Sequence, residues 1–432
     1  MNQHLPGECS LVSGALSALC LGLLISVSSC SSTDPNTPSS TAGAAGTAVA
    51  GATSAGSAGI SAAGASSGGT GGSGASGNGG AAGGSSGSGT GGNGGAGPTQ
   101  PGECTPPPVG KPIEKLSLTG CMNPTNVTKF ADRVIPYEVN SPLWSDSADK
   151  QRGFVIPAGK TIHIKDCAVN AAECLDSADT GKWVFPVGTV LLKNFLFNNK
   201  LVETRLFVRN DEQTWVGYSY QWDVAQTEAT VVPDERRRVM VDNGSGMVSW
   251  TYPNRTDCMK CHNSAGGFSL GPETRQLNRM VGASNQIDAF KAKNLFDTPP
   301  VAPYQAALVT PLVTAPADDS AVDKQVRSYM HANCAFCHRP DNGDLGAITF
   351  DLRVDKTLKE ASVCNVDPVK GDQGVAGAKV LVPGDPSKSI LWLRVNASED
   401  MGRMPQIGTY EIHTAGVKLI GDWITSIKTC PQ

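Results

Sequence analysis

Two runs of five residues share one pattern, Cys258-Met259-Lys260-Cys261-His262 and Cys334-Ala335-Phe336-Cys337-His338. Nothing else constrains the chain as tightly. Cys-x-x-Cys-His is the attachment signature of a c-type haem. Two intervening residues set the thiols about one helical turn apart, within reach of the two vinyl groups of one porphyrin. The adjacent histidine then offers its imidazole to the iron. The expectation is two covalently bound haems, with Cys258, Cys261, Cys334 and Cys337 as attachment points and His262 and His338 as iron ligands.

Other uses of paired cysteines fit less well. A four-cysteine zinc site would have to span the 72 residues between Cys261 and Cys334, whereas zinc ribbons separate their pairs by about 15–20. A dithiol redox motif sits in a βαβ context, and needs no histidine after each pair. The net charge of −4 and the lack of a long basic run speak against a nucleic-acid partner.

The first hundred residues have a different character. Leu11 to Val27 is mostly apolar and ends in Val27-Ser28-Ser29-Cys30, which resembles a bacterial lipobox. The expectation is a lipoprotein signal over 1–29, acylation of Cys30, and export to the outer membrane. Residues 1 to 10 contain no Lys or Arg, a departure from the usual basic start. Residues 30–100 are nearly all Gly, Ala, Ser and Thr and cannot bury enough apolar surface to offset their ordering entropy. They read as a disordered tether between a lipid anchor and the folded part.

Thirteen cysteines are present. Cys9 and Cys20 lie in the signal, Cys30 takes the lipid, and four belong to the motifs. The remaining six are Cys104, Cys121, Cys167, Cys174, Cys364 and Cys430. An even remainder in an exported chain points to disulfides, for which 15 pairings exist. Proximity favours Cys104–Cys121 and Cys167–Cys174, leaving Cys364–Cys430.

From about 150 to 252 the pattern is β. Thr189 to Phe197 and Leu201 to Arg209 read as strands around a turn at Asn198-Asn199-Lys200. Val216, Tyr218, Tyr220 and Trp222 share one face of a third strand, and Thr227 to Val232 is a fourth. After a Pro-rich stretch the character turns helical. Val322, Val326, Tyr329 and Met330 form one apolar stripe, and Val417, Ile420, Ile424 and Ile427 another, with Thr414 as N-cap. The fold expected is α+β: an antiparallel β-rich domain over 101–296 with the first haem, a linker over 297–318, and a small all-α cytochrome c-like domain over 319–432 with the second.

Each iron has a second axial position. For the second haem the candidate is Met404, on a Met-Pro loop before the last helix, with Met401 as fallback; a thioether opposite His raises the potential and suits electron transfer. For the first haem, His163, Met280 and His331 are the candidates, and an open position is the alternative.

These residues carry a resemblance. Residues 322 to 430 resemble bacterial cytochrome c domains, through Cys-x-x-Cys-His, Val382-Pro383-Gly384-Asp385-Pro386-x-x-Ser389, Met404-Pro405 and Trp423-Ile424. More widely, residues from about 130 resemble a family of bacterial dihaem c-type cytochromes of unassigned role. That likeness rests on Asn140-Ser141-Pro142-Leu143-Trp144-Ser145-Asp146, Phe185 to Val190, Glu203-Thr204-Arg205 and His331-Ala332-Asn333-Cys334. The first half is also similar to lysine-cross-linked hydroxylamine-oxidising cytochromes and cytochrome c′-β, through Gly188-Thr189-Val190-Leu191-Leu192-Lys193 and the motif that follows. That similarity implies a sheet over one haem face, a five-coordinate first haem and Lys193 near the porphyrin edge. The other reading of Lys193 is a strand lysine facing solvent. Arg205 and Arg209 are further candidates for the same pocket. Arg236-Arg237-Arg238 reads as a solvated turn.

The expected function is electron transfer between the two haems and a redox partner protein. The alternative is a haem enzyme acting on a small molecule at an open first haem, with the second as relay; catalytic residues would then include Lys193 and Arg205. A scaffolding lipoprotein with structural haems is a third reading.

Overall fold

In a computed structural model, residues 103–311, 317–340 and 350–431 are described. The signal, Cys30 and the tether lie outside them. All described residues belong to one compact unit.

The first half is built from short strands. A ribbon, β1 (Met122–Asn123) and β2 (Asn126–Phe130), leads into β3 (Ile135–Pro136) and β4 (Asp149–Val155). A small pair follows, β5 (His163–Ile164) with β6 (Trp183–Val184), and then β7 (Val190–Phe197), β8 (Lys200–Arg209), β9 (Trp215–Trp222) and β10 (Ala229–Val231). One sheet of six strands runs β10-β9-β8-β7-β4-β3, antiparallel at every pairing. Asn198 and Asn199, both with positive φ, form the two-residue loop between β7 and β8, a conformation Asn tolerates and a right-twisted hairpin needs. A separate hairpin, β11 (Arg237–Asp242) and β12 (Met247–Tyr252), precedes the first motif, and β13 (Met280–Val281) and β14 (Ser284–Asn285) come after it.

The alternation expected for these strands is present, but both faces are covered. Leu192, Leu206, Val208, Tyr218 and Tyr220 pack toward Leu116 and the Cys104–Cys121 bridge. Leu191, Phe207 and Trp215 pack the other way, with Phe154, Trp183, Phe185 and Phe290. The charged residues interleaved with the second set, Arg152, Lys193, Glu203 and Arg205, therefore sit on a covered face.

The helices are α1 (Arg255–Cys261), α2 (Thr274–Leu277), α3 (Gln286–Ala292), α4 (Asp319–Asn333), α5 (Ile390–Val395) and α6 (Thr414–Ser426). No strand occurs after Asn285 among the described residues. The molecule is α+β: an antiparallel sheet-rich middle followed by a helical C-terminal part. The stripe of α4, Val322, Val326, Tyr329 and Met330, packs on Leu419, Ile420, Trp423 and Ile424 of α6. Thr414 is the first residue of α6, and His413 occupies the cap position expected for Thr414.

The disulfides are Cys104–Cys121, Cys167–Cys174 and Cys364–Cys430. The last closes a 66-residue separation, worth roughly 4 kcal/mol in the chain-entropy account.

Buried polar contacts join the two halves. Asn140 to Asp146 is a strap between them: Ser141 Oγ donates to the Ser328 carbonyl at 2.9 Å, and Trp144 N–H to Asn333 Oδ1 at 2.7 Å. Asp146 Oδ1 accepts from Tyr410 N and Glu411 N. Arg339 and Asp179, both buried, pair at 2.9 Å. The Pro-rich stretch beyond residue 297 runs along this junction, with Leu308 N–H donating to the Arg275 carbonyl and Val309 N–H to Ser328 Oγ. No helix among the described residues is long and apolar enough to cross a membrane.

Candidate functional site

The two motifs share one closing hydrogen bond on different backbones: Cys258 and Cys261 lie within α1, whereas Cys334 to Cys337 follow α4 as a turn. Asn254 caps α1, its side chain accepting from Asp257 N at 2.8 Å. The helix carries Cys258 and Cys261 on successive turns and closes with His262 N–H donating to the Cys258 carbonyl at 2.9 Å. The second motif continues from the end of α4, and His338 N–H donates to the Cys334 carbonyl at 2.8 Å. In each case two thiols and an imidazole come to one side of a single turn.

The two sets line two adjoining cavities, and Cys261 borders both. The first, about 220 Å³, is bounded by Cys258, Cys261 and His262 on one side and by the covered face of the sheet, including Lys193, Arg205 and Phe207, on the other. The second, about 270 Å³, holds Cys334, Cys337 and His338, with Met404 in its wall. Met401 is exposed and does not line it.

The four motif cysteines are those outside any disulfide among the described residues. Burial pushes the Cys258 thiol up to about 11 and the Cys334 thiol up to about 12. Cys261 is raised well above the ordinary thiol value, first by a hydrogen bond with Cys337 and then by burial. Such thiols are protonated and poor nucleophiles, unlike those of dithiol redox enzymes.

The histidines are neutral. Burial, helped by Lys193, lowers His262 to about 3, and burial lowers His338 to about 4. His262 Nδ1 lies 2.5 Å from the Phe268 carbonyl oxygen, which can only accept. Nδ1 therefore carries the proton, and the Nε2 lone pair is left for a metal. His338 Nδ1 is buried without a hydrogen-bond partner, and its ring stacks on Phe350 at 4.6 Å. No group of three or more His, Cys, Asp and Glu side chains among the described residues could hold a metal ion.

The candidates for a second ligand at the first site separate. His163 is held between Glu173 at 2.6 Å and Asp297 at 2.8 Å and lines neither cavity. Met280 is exposed. His331 does line the first cavity, but both its ring nitrogens are engaged: Nδ1 accepts from Val354 N, so Nε2 carries hydrogen and donates to Glu273 at 2.8 Å. Lys193 faces the cavity wall and not bulk solvent; burial and the nearby Arg152 and Arg205 push its amine well below the ordinary lysine value. Arg205 is gripped by buried Glu203 at 2.7 Å. Arg209 does not line the cavity and braces Phe185 and Glu212. Arg236 and Arg238 are exposed, as a solvated run would be, but Arg237 and Arg238 open β11 instead of lying in a turn. Arg236 pairs with Asp257 of α1 at 2.5 Å, Arg237 bonds Gln221, and Arg238 reaches Glu399 at 3.0 Å.

Several residues escaped the sequence reading. Trp144 borders both cavities and stacks on His413 at 3.8 Å. Asn263 Nδ2 donates to the carbonyls of Lys260 (3.2 Å) and Phe336 (3.1 Å), clasping one motif to the other. Gly217 lies under α1, where an added Cβ would come within 2.8 Å of Cys258 Sγ. A glycine inside an aromatic strand is a sequence signal for such an approach.

No family model matches the chain, and neither a curated protein nor a solved structure matches it.

Proposed function

We propose that the protein is an exported dihaem c-type cytochrome that carries electrons between its two haems and a redox partner protein. One observation carries this reading: each Cys-x-x-Cys-His motif presents two thiols outside any disulfide and a neutral imidazole to a cavity, in a chain whose six other described cysteines are all bridged. Cys258 and Cys261 would hold the first haem with His262 on its iron. Cys334 and Cys337 would hold the second, with His338 and Met404 as ligands. The bound haem supplies the electron-accepting iron; the chain supplies attachment, axial ligands and exclusion of water. Cys261 lies against Cys337, and Asn263 ties the two motif backbones. That adjacency supports direct exchange between the haems. Acylation at Cys30 and an outer-membrane location belong to the same reading.

A second reading has support from the first cavity. Among the described residues no methionine lines it, and the histidine that does, apart from His262, has both nitrogens engaged. A sixth position left open would let a small molecule reach the iron, with the second haem as electron relay.

The test is the full chain matured with c-type haem, its haem counted per chain, and its spectrum recorded oxidised, reduced, and reduced with carbon monoxide. Two haems per chain support the reading. None would overturn it. Carbon monoxide bound at one haem, and lost in Cys258→Ala/Cys261→Ala, favours the enzyme reading over the carrier.

A further inference from the structure

The wall of the first cavity carries charge that the haem ligands do not use. Lys182, Arg205, Arg236, Arg339 and Arg353 line it, and each has a carboxylate at 2.9 Å or closer: Asp179, Glu203, Asp257, Asp179 and Asp351 respectively. Arg152 and Lys193 also line it, and neither has a carboxylate within ion-pair distance among the described residues.

These two are neighbours by construction. Arg152 on β4 is the register partner of Lys193 on β7, and Lys193 is the register partner of Arg205 on β8. Three cations thus stand side by side across three strands. Like charges directly opposite each other destabilise a sheet, and partial burial adds a desolvation cost. Glu203 cannot serve all three. Its carboxylate accepts two bonds from Arg205 and one from the Trp250 indole N–H at 3.0 Å. Glu138 also acts on Arg152 through space, but it is paired with Arg279 at 2.9 Å, so no carboxylate is in ion-pair contact with Arg152 or Lys193 among the described residues.

We propose that Arg152 and Lys193 form a binding site for a small oxyanion of carboxylate or nitrite class. The planar guanidinium matches such an anion through two parallel hydrogen bonds, and the ammonium adds a point charge. The anion comes either from solution or from the carboxylate edge of a porphyrin seated in the cavity. The site consists of strand residues outside both motifs, so it does not depend on the haem reading.

The test titrates the full chain, matured with haem, with sodium formate and sodium nitrite, followed by calorimetry and absorption. Arg152→Gln, Lys193→Gln and the charge-keeping Arg152→Lys are run beside it. Removing one of two opposed cations relieves repulsion, so these variants should fold, which circular dichroism checks. Saturable binding, weakened about tenfold or more by either glutamine variant and partly kept by Arg152→Lys, supports the site with an anion from solution. No binding, together with a first-haem midpoint potential lowered by both glutamine variants and held by Arg152→Lys, supports it with the porphyrin as the source. Neither effect overturns it. If no haem is taken up, the haem reading alone fails. The same titration on the folded, haem-free chain then decides: loss of binding in the glutamine variants supports the site, and no binding overturns it.

Discussion

The two motifs close with the same hydrogen bond and open onto different surroundings. At both motifs the histidine amide closes on the carbonyl of the first cysteine, at 2.9 and 2.8 Å. The first turn is then roofed by a six-stranded sheet whose covered face is charged, with Lys193 and Arg205 in its wall. The second is enclosed by α4, α5, α6 and the loop that carries Met404. A helical surround can offer a thioether from a loop. A sheet face offers alternate residues at fixed spacing, and here those residues are cations and aromatics. The closing hydrogen bond is thus common to both sites, and the surround would set what each iron does.

The largest effect tests that division. In the matured protein carbon monoxide should never bind the second haem; it should bind the first if that iron is open, as the enzyme reading requires, and neither haem if the protein is purely a carrier. Met404→Ala should open the second haem to carbon monoxide and lower its potential by more than a tenfold change in its redox equilibrium, about 59 mV for one electron. Carbon monoxide at both haems of the parent protein would remove the difference between the cavities.

Stability should divide along the same line. Glu203 is fully buried, pairs with Arg205 and accepts from Trp250. Glu203→Ala leaves three N–H donors, two of Arg205 and one of Trp250, without their acceptor and should cost about 3 kcal/mol in urea unfolding. Met404→Ala removes a half-buried side chain and should cost less. The reverse order would mean that the charged face is not the tightly held one.

A smaller effect concerns the approach of α1 to the sheet. In Gly217→Val the new side chain meets Cys258 Sγ within 2.8 Å and Cys258 Cβ within 3.2 Å. About 1–3 kcal/mol of overpacking follows, and haem uptake should fall at the first motif alone, read as the haem count in the matured variant.

Much of this was legible in the sequence, for identifiable reasons. Period-two alternation placed Tyr218, Tyr220 and Trp222 on one face, and period-3.6 stripes placed Val326 and Ile424 in one core. Disulfide pairing followed from proximity, because short loops close at the least entropic cost. What sequence could not show depends on contacts between distant segments. The strap at Asn140 to Asp146 stood out as a motif, but its work, hydrogen bonding to Ser328, Asn333 and Tyr410, is visible only in three dimensions. Alternation placed Glu203, Arg205 and Phe207 opposite the apolar face of β8. It could not tell whether that face met water or a second layer.

The smallest expected effect lies away from both cavities and serves as a check on the first of them. Burial alone would lower the pKa of His163, but hydrogen bonds and charges from Glu173 and Asp297 outweigh it and the pKa is raised. Both ring nitrogens face carboxylates, so the imidazolium is the form held. A raised folded value means that the stabilisation is fully present below the unfolded value of about 6.5 and is lost as pH rises through the folded value. The site is more than one third exposed, so screening keeps the gain below about 1 kcal/mol. His163→Gln should therefore be less stable than the parent at pH 5.5 and equal to it at pH 9 in urea unfolding. The spectrum and carbon monoxide binding of the first haem should be unchanged in this variant. A changed first-haem spectrum would put His163 on that iron, close its sixth position, and leave the two cavities alike where they are argued to differ.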